Sequence, residues 1–295
     1  MHRRMRTNLV LLAILVLLGL VVWLAPEPRD DNQGEPLFAE NEEFSRIEVL
    51  EHGETRLVLE RDGERWLLRE PFALDADDFQ VNALLSSLRQ PIERSYALEE
   101  VDLEELELAK PRWTLKIDDE TITLGGRAPL GNSRYLRKGE RVHLASDILS
   151  FRLGRDPFDY ASRRLLPEGV AMTYIELPAG ERIERGEQGW QLVPENDAVS
   201  ADAIQQLANA WRNASAIDIR PPAAEKPEGE SVRIGLEDGS EIRFFVHMND
   251  KDFVLLREQP PLAYEMLRDD ARRLLQLEVS RSTVEAEDVP AEGTE

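Results

Sequence analysis

The residues of this chain whose types could do chemistry are four histidines, a cluster of three aspartates, a glycine pair and one arginine-rich run. His2, His52, His143 and His247 stand far apart, and none has a second histidine or a carboxylate pair at ligand spacing, so no metal centre is expected. His143 and His247 read as ordinary strand positions. Asp75, Asp77 and Asp78 lack the glycine and the closing glutamate of a calcium loop; at the start of a helical pattern they read as caps. Gly125-Gly126 follows a strand pattern without the third glycine and the helix of a dinucleotide site, which leaves a tight turn or a bulge. There is no G-x-S-x-G elbow and no P-loop, and the chain contains no cysteine. No catalytic, metal-binding or cofactor-binding residue is expected, and the chain reads as a non-enzyme. An envelope hydrolase would need distant carboxylates to converge in a cleft, which spacing cannot reveal.

The arginine-rich run is the exception to this quiet background. Between Arg127 and Arg164 lie nine basic residues and four acids, inside a chain whose formal net charge is -22. Either this is a solvated face that pairs with acidic neighbours of its own domain, or it is a docking patch for an anionic partner. Arg127, Arg134, Arg137, Lys138 and Arg141 are the candidate docking residues.

The elements that position these residues begin with an anchor. Thr7 to Ala25 (TNLVLLAILVLLGLVVWLA) carries no charge, and 19 residues of helix measure roughly 28 Å, close to the hydrocarbon thickness of a bilayer. Arg3, Arg4 and Arg6 precede it and the mixed charges of Glu27 to Asp31 follow, so the basic end is expected in the cytoplasm and residues 26–295 outside it. A cleaved signal peptide fits less well, because Trp23 and Pro26 flank the cut that would be needed after Ala25. Removing the three N-terminal arginines leaves -25 on the outer part, a charge that makes nucleic acid an unsuitable partner.

After a Pro- and Asp-rich linker at 26–43, the hydrophobic pattern changes to strand alternation. SRIEVLE, TRLVLER and ERWLLRE are separated by His52-Gly53-Glu54 and Asp62-Gly63, which read as hairpin turns. An amphipathic helix follows with Val81, Leu84, Leu85 and Leu88 on one face. Further strands are expected at Ile92 to Ala97 and in RWTLKI, TITLGG, RYLRK and RVHLA, then a short helix from Asp147 to Leu153. The second half repeats this order. Trp190 falls 124 positions after Trp66, and Ile204, Leu207 and Trp211 fall 123 after Val81, Leu84 and Leu88. Ile234 and Leu236 lie 119 after Leu115 and Ile117, and the terminal segment MLRDDARRLLQ matches DILSFRL. This is a tandem duplication of a unit of about 120 residues.

The expected fold is therefore α+β: an N-terminal transmembrane helix, then two tandem repeats of a mainly antiparallel β-sheet unit with one main helix each. The divisions fall at 1–25 for the basic end and anchor, 26–43 for the linker, 44–160 and 161–279 for the two repeats, and 280–295 for a disordered acidic tail.

Three phrases carry a family resemblance: W-L-L-x-E-P at Trp66 to Pro71, D-x-x-x-V-N-x-L-L-x-x-L ending at Leu88, and L-G-G-x-x-P-L-G-N-x-R-Y from Leu124 to Tyr135. With the basic start and single span, they resemble the bacterial membrane-anchored proteins of domain-of-unknown-function family 4340. That resemblance implies a single-pass inner-membrane protein with a periplasmic domain. It also implies a role as accessory or scaffold subunit beside an ABC-type exporter of the gliding-motility kind, with a transporter permease or auxiliary protein as partner. It supplies no catalytic residues. The alternative function class is a periplasmic binding module holding a lipid, glycan or peptide between the two repeats.

Overall fold

The computed structural model describes residues 34–223 and 229–278. The apolar stretch at 7–25, linker residues 26–33 and the acidic tail lie outside the described residues. Among the described residues no helix is long and apolar enough to cross a membrane.

The first strands form a meander of β1 (Arg46–Glu51), β2 (Glu54–Asp62), β3 (Arg65–Glu70) and the two-residue β4 (Leu74–Asp75). Helix α1 (Asp78–Leu88) follows, then β5 (Ile92–Ala97), β6 (Trp113–Ile117), β7 (Glu120–Arg127), β8 (Ser133–Lys138), β9 (Arg141–Ser146) and the short α2 (Ile148–Leu153). These strands make one nine-stranded sheet in the order β4-β3-β2-β1-β6-β7-β8-β9-β5. The rest of the chain supplies β10 (Met172–Glu176), β11 (Arg182–Gly186), β12 (Gly189–Val193), α3 (Ala201–Asn213), β13 (Asp218–Arg220), β14 (Ser231–Leu236), β15 (Glu241–Met248), β16 (Phe253–Arg257), β17 (Leu262–Met266) and α4 (Asp270–Leu275). Their sheet has eight strands in the order β12-β11-β10-β14-β15-β16-β17-β13. The fold is thus mostly antiparallel sheet with few helices, in two sheets of similar size. Reading β3 as β12, β2 as β11 and so on, the second order repeats the first strand for strand, with β4 as the one addition.

One expectation needs correction. The terminal helix is shorter than MLRDDARRLLQ, because Met266 closes β17 and the helix begins only at Asp270. Strands β13 and β17 complete the repeated order, although the sequence pattern does not mark their bounds. In β17 Leu262, Ala263 and Tyr264 are buried in succession, so the alternation that betrays a half-buried strand is missing.

The chain forms two compact units. One takes residues 34–44, Glu48–Thr55 and Ala83–Gly154; the other takes Ser45–Ile47, Arg56–Asn82 and residues 155–278. In the first, Trp113 faces Leu124 and Leu115 faces Ile122 across β6 and β7, while Leu124 faces Leu136 on β8. All five are buried, and they form the core face of these strands. Phe38 and Phe44 meet edge to face at 5.1 Å in the same unit.

In the second unit the stripe Ile204, Leu207 and Trp211 of α3 is buried. Trp211 donates its Nε1 hydrogen to the Leu274 carbonyl at 2.8 Å, and its ring lies 5.8 Å from Phe244. The Ser200 hydroxyl caps this helix by accepting from Ala203 N at 3.1 Å. Asp77 does the same for α1, accepting from Gln80 N at 3.0 Å. Asp75 holds the connector instead: its carboxylate accepts from Glu168 N at 2.9 Å and its carbonyl from Ser162 N at 2.8 Å.

Candidate functional site

One end of strands β5 to β9 gathers most of the polar chemistry of the first unit. The register places Trp113 opposite Leu124, Arg127 opposite Arg134, Ser133 opposite Ser146 and Ile92 opposite Ala145, all at that end. Gly125 and Gly126 form the bulge expected from the sequence, a register shift between Leu124 and Arg127. The bulge lets the segment before β6 come close, with Gly126 N donating to the Leu106 carbonyl at 2.8 Å. A Cβ on Gly125 would lie 2.3 Å from that carbonyl oxygen, so the backbone approach needs glycine there.

Asp147 sits behind the bulge with its side chain 2% exposed. Arg134 Nε donates to its Oδ1 at 2.5 Å and Arg127 Nε to its Oδ2 at 2.5 Å. The Ser150 hydroxyl, one helical turn on, donates to Oδ1 as well. Arg134 extends a second guanidinium nitrogen to the Gly125 carbonyl, tying the bulge to the carboxylate. Burial alone would push the Asp147 carboxyl up. The hydrogen bonds from Arg134, Ser150 and Arg127 outweigh it and hold the group below the usual carboxylate range. Asp147 is therefore an ionised, fully donated anchor with no proton to give.

Beside this anchor is a cleft of about 970 Å³, lined by the cations Lys110, Arg112, Arg127 and Arg134 and by the acids Glu104 and Glu107. Trp113 and Phe151 supply its apolar wall. Arg112 stacks over the Trp113 ring at 5.1 Å and pairs with Glu51 at 2.8 Å, and Arg127 keeps 69% of its side chain exposed. The arrangement can hold an anionic or amphipathic group. Ser150 lies on its lining and donates to Asp147, whose lowered pKa makes that carboxylate a weak base. Among the described residues no group of His, Asp and Glu is placed to hold a metal ion.

The five candidate docking residues are split by the strands that carry them. Arg127 and Arg134 belong to this end. Arg137, Lys138 and Arg141 lie at the β8–β9 hairpin, roughly 13 Å away along the strand. Lys138 folds back, with Nζ 3.8 Å from the Phe38 ring centroid and 3.2 Å from the Leu37 carbonyl oxygen. Arg137 donates to the Gly139 carbonyl at 3.1 Å, and Arg141 is exposed. His143 occupies an interior position on β9, with Nδ1 2.8 Å from the Ser95 hydroxyl oxygen. Burial lowers its pKa, and Arg141 and Lys138 lower it further.

Sequence reasoning missed Asp147 as the partner of the arginines, and missed Lys110, Arg112 and Phe151. A signal for Phe151 was available. The run ILSFRL buries Leu149 and Leu153, so Ile148 and Phe151 are apolar residues left over on the other side of a one-turn helix.

A family model described as Domain of unknown function (DUF4340) matches residues 66–231. No curated protein and no solved structure matches the chain.

Proposed function

The chain belongs to the family of the domain of unknown function DUF4340, and on that footing we propose that it is a non-catalytic accessory or scaffold subunit of an inner-membrane ABC-type transport complex. In this reading residues 7–25 are its single transmembrane anchor and the sheets stand in the periplasm. The two sheets are tandem copies of one unit, a reading supported by their matching strand order. It is supported again by the buried stripes Val81, Leu84, Leu88 and Ile204, Leu207, Trp211 at equal spacing. The transport setting comes from the family resemblance.

The observation that carries the non-catalytic part is the Asp147 site. Its carboxylate is held ionised by three donors, so the most polar cluster of the first unit is spent on structure, with cations displayed around it. Such a surface suits docking better than proton transfer. The test is a gentle detergent pull-down of the full-length protein from its native membrane, with the co-eluting proteins identified by mass. Stoichiometric permease and ATPase support the reading, and recovery of the protein alone counts against it.

The cleft beside Trp113 favours a second reading, a periplasmic binding module for a lipid, glycan or peptide. Recovery with a bound lipid or glycan and no transporter component would select it.

A further inference from the structure

Exposed large apolar side chains are not scattered evenly over the first unit. Among its described residues they are Leu130 at 87%, Phe151 at 68% and Ile148 at 41% exposure. Leu130 lies in the β7–β8 loop, which Ala128 N closes onto the Ser133 carbonyl at 2.8 Å. Ile148 and Phe151 are on α2, and Asp147 N binds the Asn132 carbonyl of that same loop at 3.0 Å. The three therefore share the sheet end that carries Arg127, whose side chain is 69% exposed.

The chain joins the fold at this end too. Gly34 N donates to the Ile92 carbonyl at 3.1 Å, and Ile92 N to the Glu35 carbonyl at 3.1 Å. Ile92 is the residue of β5 that faces Ala145, next to Ser146 and Asp147. Nine steps of chain separate Ala25 from Gly34, a reach of at most about 32 Å. An apolar surface with a cation beside it thus stands where the chain comes from an uncharged stretch of membrane-spanning length.

Resting on the anchor reading above, we propose that this sheet end lies on the bilayer. Leu130, Ile148 and Phe151 enter the boundary between headgroups and acyl chains, and Arg127 meets lipid phosphates. Water-exposed apolar side chains gain by burial in that boundary, and an exposed guanidinium pairs with phosphate without losing its hydration entirely. The domain is strongly acidic and Glu104 and Glu107 border the cleft at this end, so the contact rests on the three apolar side chains and Arg127 rather than on net charge. The cleft beside Phe151 then opens at the membrane surface.

The chain has no cysteine, so single labels can be placed at will. The full-length protein is reconstituted in vesicles of phosphatidylethanolamine and phosphatidylglycerol. It carries an environment-sensitive fluorophore on Leu130→Cys, Ile148→Cys or Phe151→Cys. Asp119→Cys and Glu140→Cys, at the opposite ends of the same strands, serve as aqueous references, and Val16→Cys reports the span. Lipids bearing a spin label at a shallow acyl position should remove most of the fluorescence at 130, 148 and 151 and none at 119 and 140. Quenching at 16 with no loss at 130, 148 and 151 overturns the proposal and leaves the anchor standing. Absence of quenching at 16 removes the anchor reading and this proposal together.

Discussion

Arg134 Nε and Asp147 Oδ1 stand 2.5 Å apart, and the same guanidinium also reaches the carbonyl of Gly125, so one side chain joins β8, the β7 bulge and the start of α2. Arg134 is 19% exposed and Asp147 2%, which makes this a largely desolvated pair. Removing one partner leaves the other charge buried. Arg134→Met should cost about 3 kcal/mol. Arg127 meets the same carboxylate with 69% of its side chain in water, and Arg127→Met should cost less than about 1 kcal/mol. Urea unfolding midpoints of the two variants decide the matter; equal losses would mean that the two arginines share the carboxylate evenly.

The acid limb of stability should show two separate phases. His143 is neutral in the fold and its pKa is lowered, first by burial and then by Arg141 and Lys138. The unfolded chain therefore takes up a proton first, and stability falls as pH drops below about 6.5 toward the folded value. Asp147 is also lowered, so its contribution is complete above about pH 3.9 and is lost only as pH falls through its lower folded value. Denaturant melts of His143→Gln between pH 7 and 5 should be flatter than those of the parent. Asp147→Asn should leave that window unchanged and flatten the profile below pH 4.

Much of this fold could be read from alternation. β5 has the bounds Ile92 to Ala97 that the pattern marks, and β14 carries Ile234 and Leu236 on a strand as the repeat of Leu115 and Ile117 expects. The helix stripe was legible because Val81, Leu84, Leu85 and Leu88 recur at helical spacing, and all four are buried. The arginine-rich run is divided between two ends of the strands because nearness in sequence is not nearness on a strand. Successive side chains on β8 point to opposite faces, so Arg134 and Lys138 share one face and Arg137 takes the other. Asp147 was read as the first residue of a helix; it stands just before α2, and its carboxylate binds arginines 13 and 20 positions earlier. Only the bulge at Gly125 and Gly126 brings those partners together.

The two bulge glycines should differ sharply under substitution. On Gly125 a Cβ would sit 2.3 Å from the Leu106 carbonyl oxygen and 2.8 Å from Leu108 Cγ, so backbone has to move. On Gly126 the nearest atom is Glu107 Cδ at 3.3 Å, on a side chain that can swing aside. Gly125→Ala should destabilise by about 1–3 kcal/mol and Gly126→Ala by little. Because Leu106 is displaced only in the first, limited proteolysis should cut within residues 102–110 faster in Gly125→Ala. Matching cleavage rates in the two variants would mean that the bulge does not hold that segment.

Charge reversals along the arginine-rich run should separate docking from folding. Arg134→Glu places a second carboxylate against Asp147 and removes the donor to Gly125, so the first unit should lose stability with or without a partner. Arg137→Glu with Arg141→Glu changes the hairpin, where Arg137 binds only its own turn and Arg141 is exposed; the fold should be within about 1 kcal/mol of the parent. If an acidic partner docks at the hairpin, the double variant should lose that partner from the native-membrane pull-down while its far-ultraviolet circular dichroism and melting temperature hold. Reversing two cations in a complementary interface also slows association, and raising the salt concentration should weaken the parent complex more than the variant complex. Full retention of every partner by a folded double variant would take the hairpin out of the docking surface and leave Arg127, at the other end of the same strands, as the remaining exposed one of the five candidate docking residues.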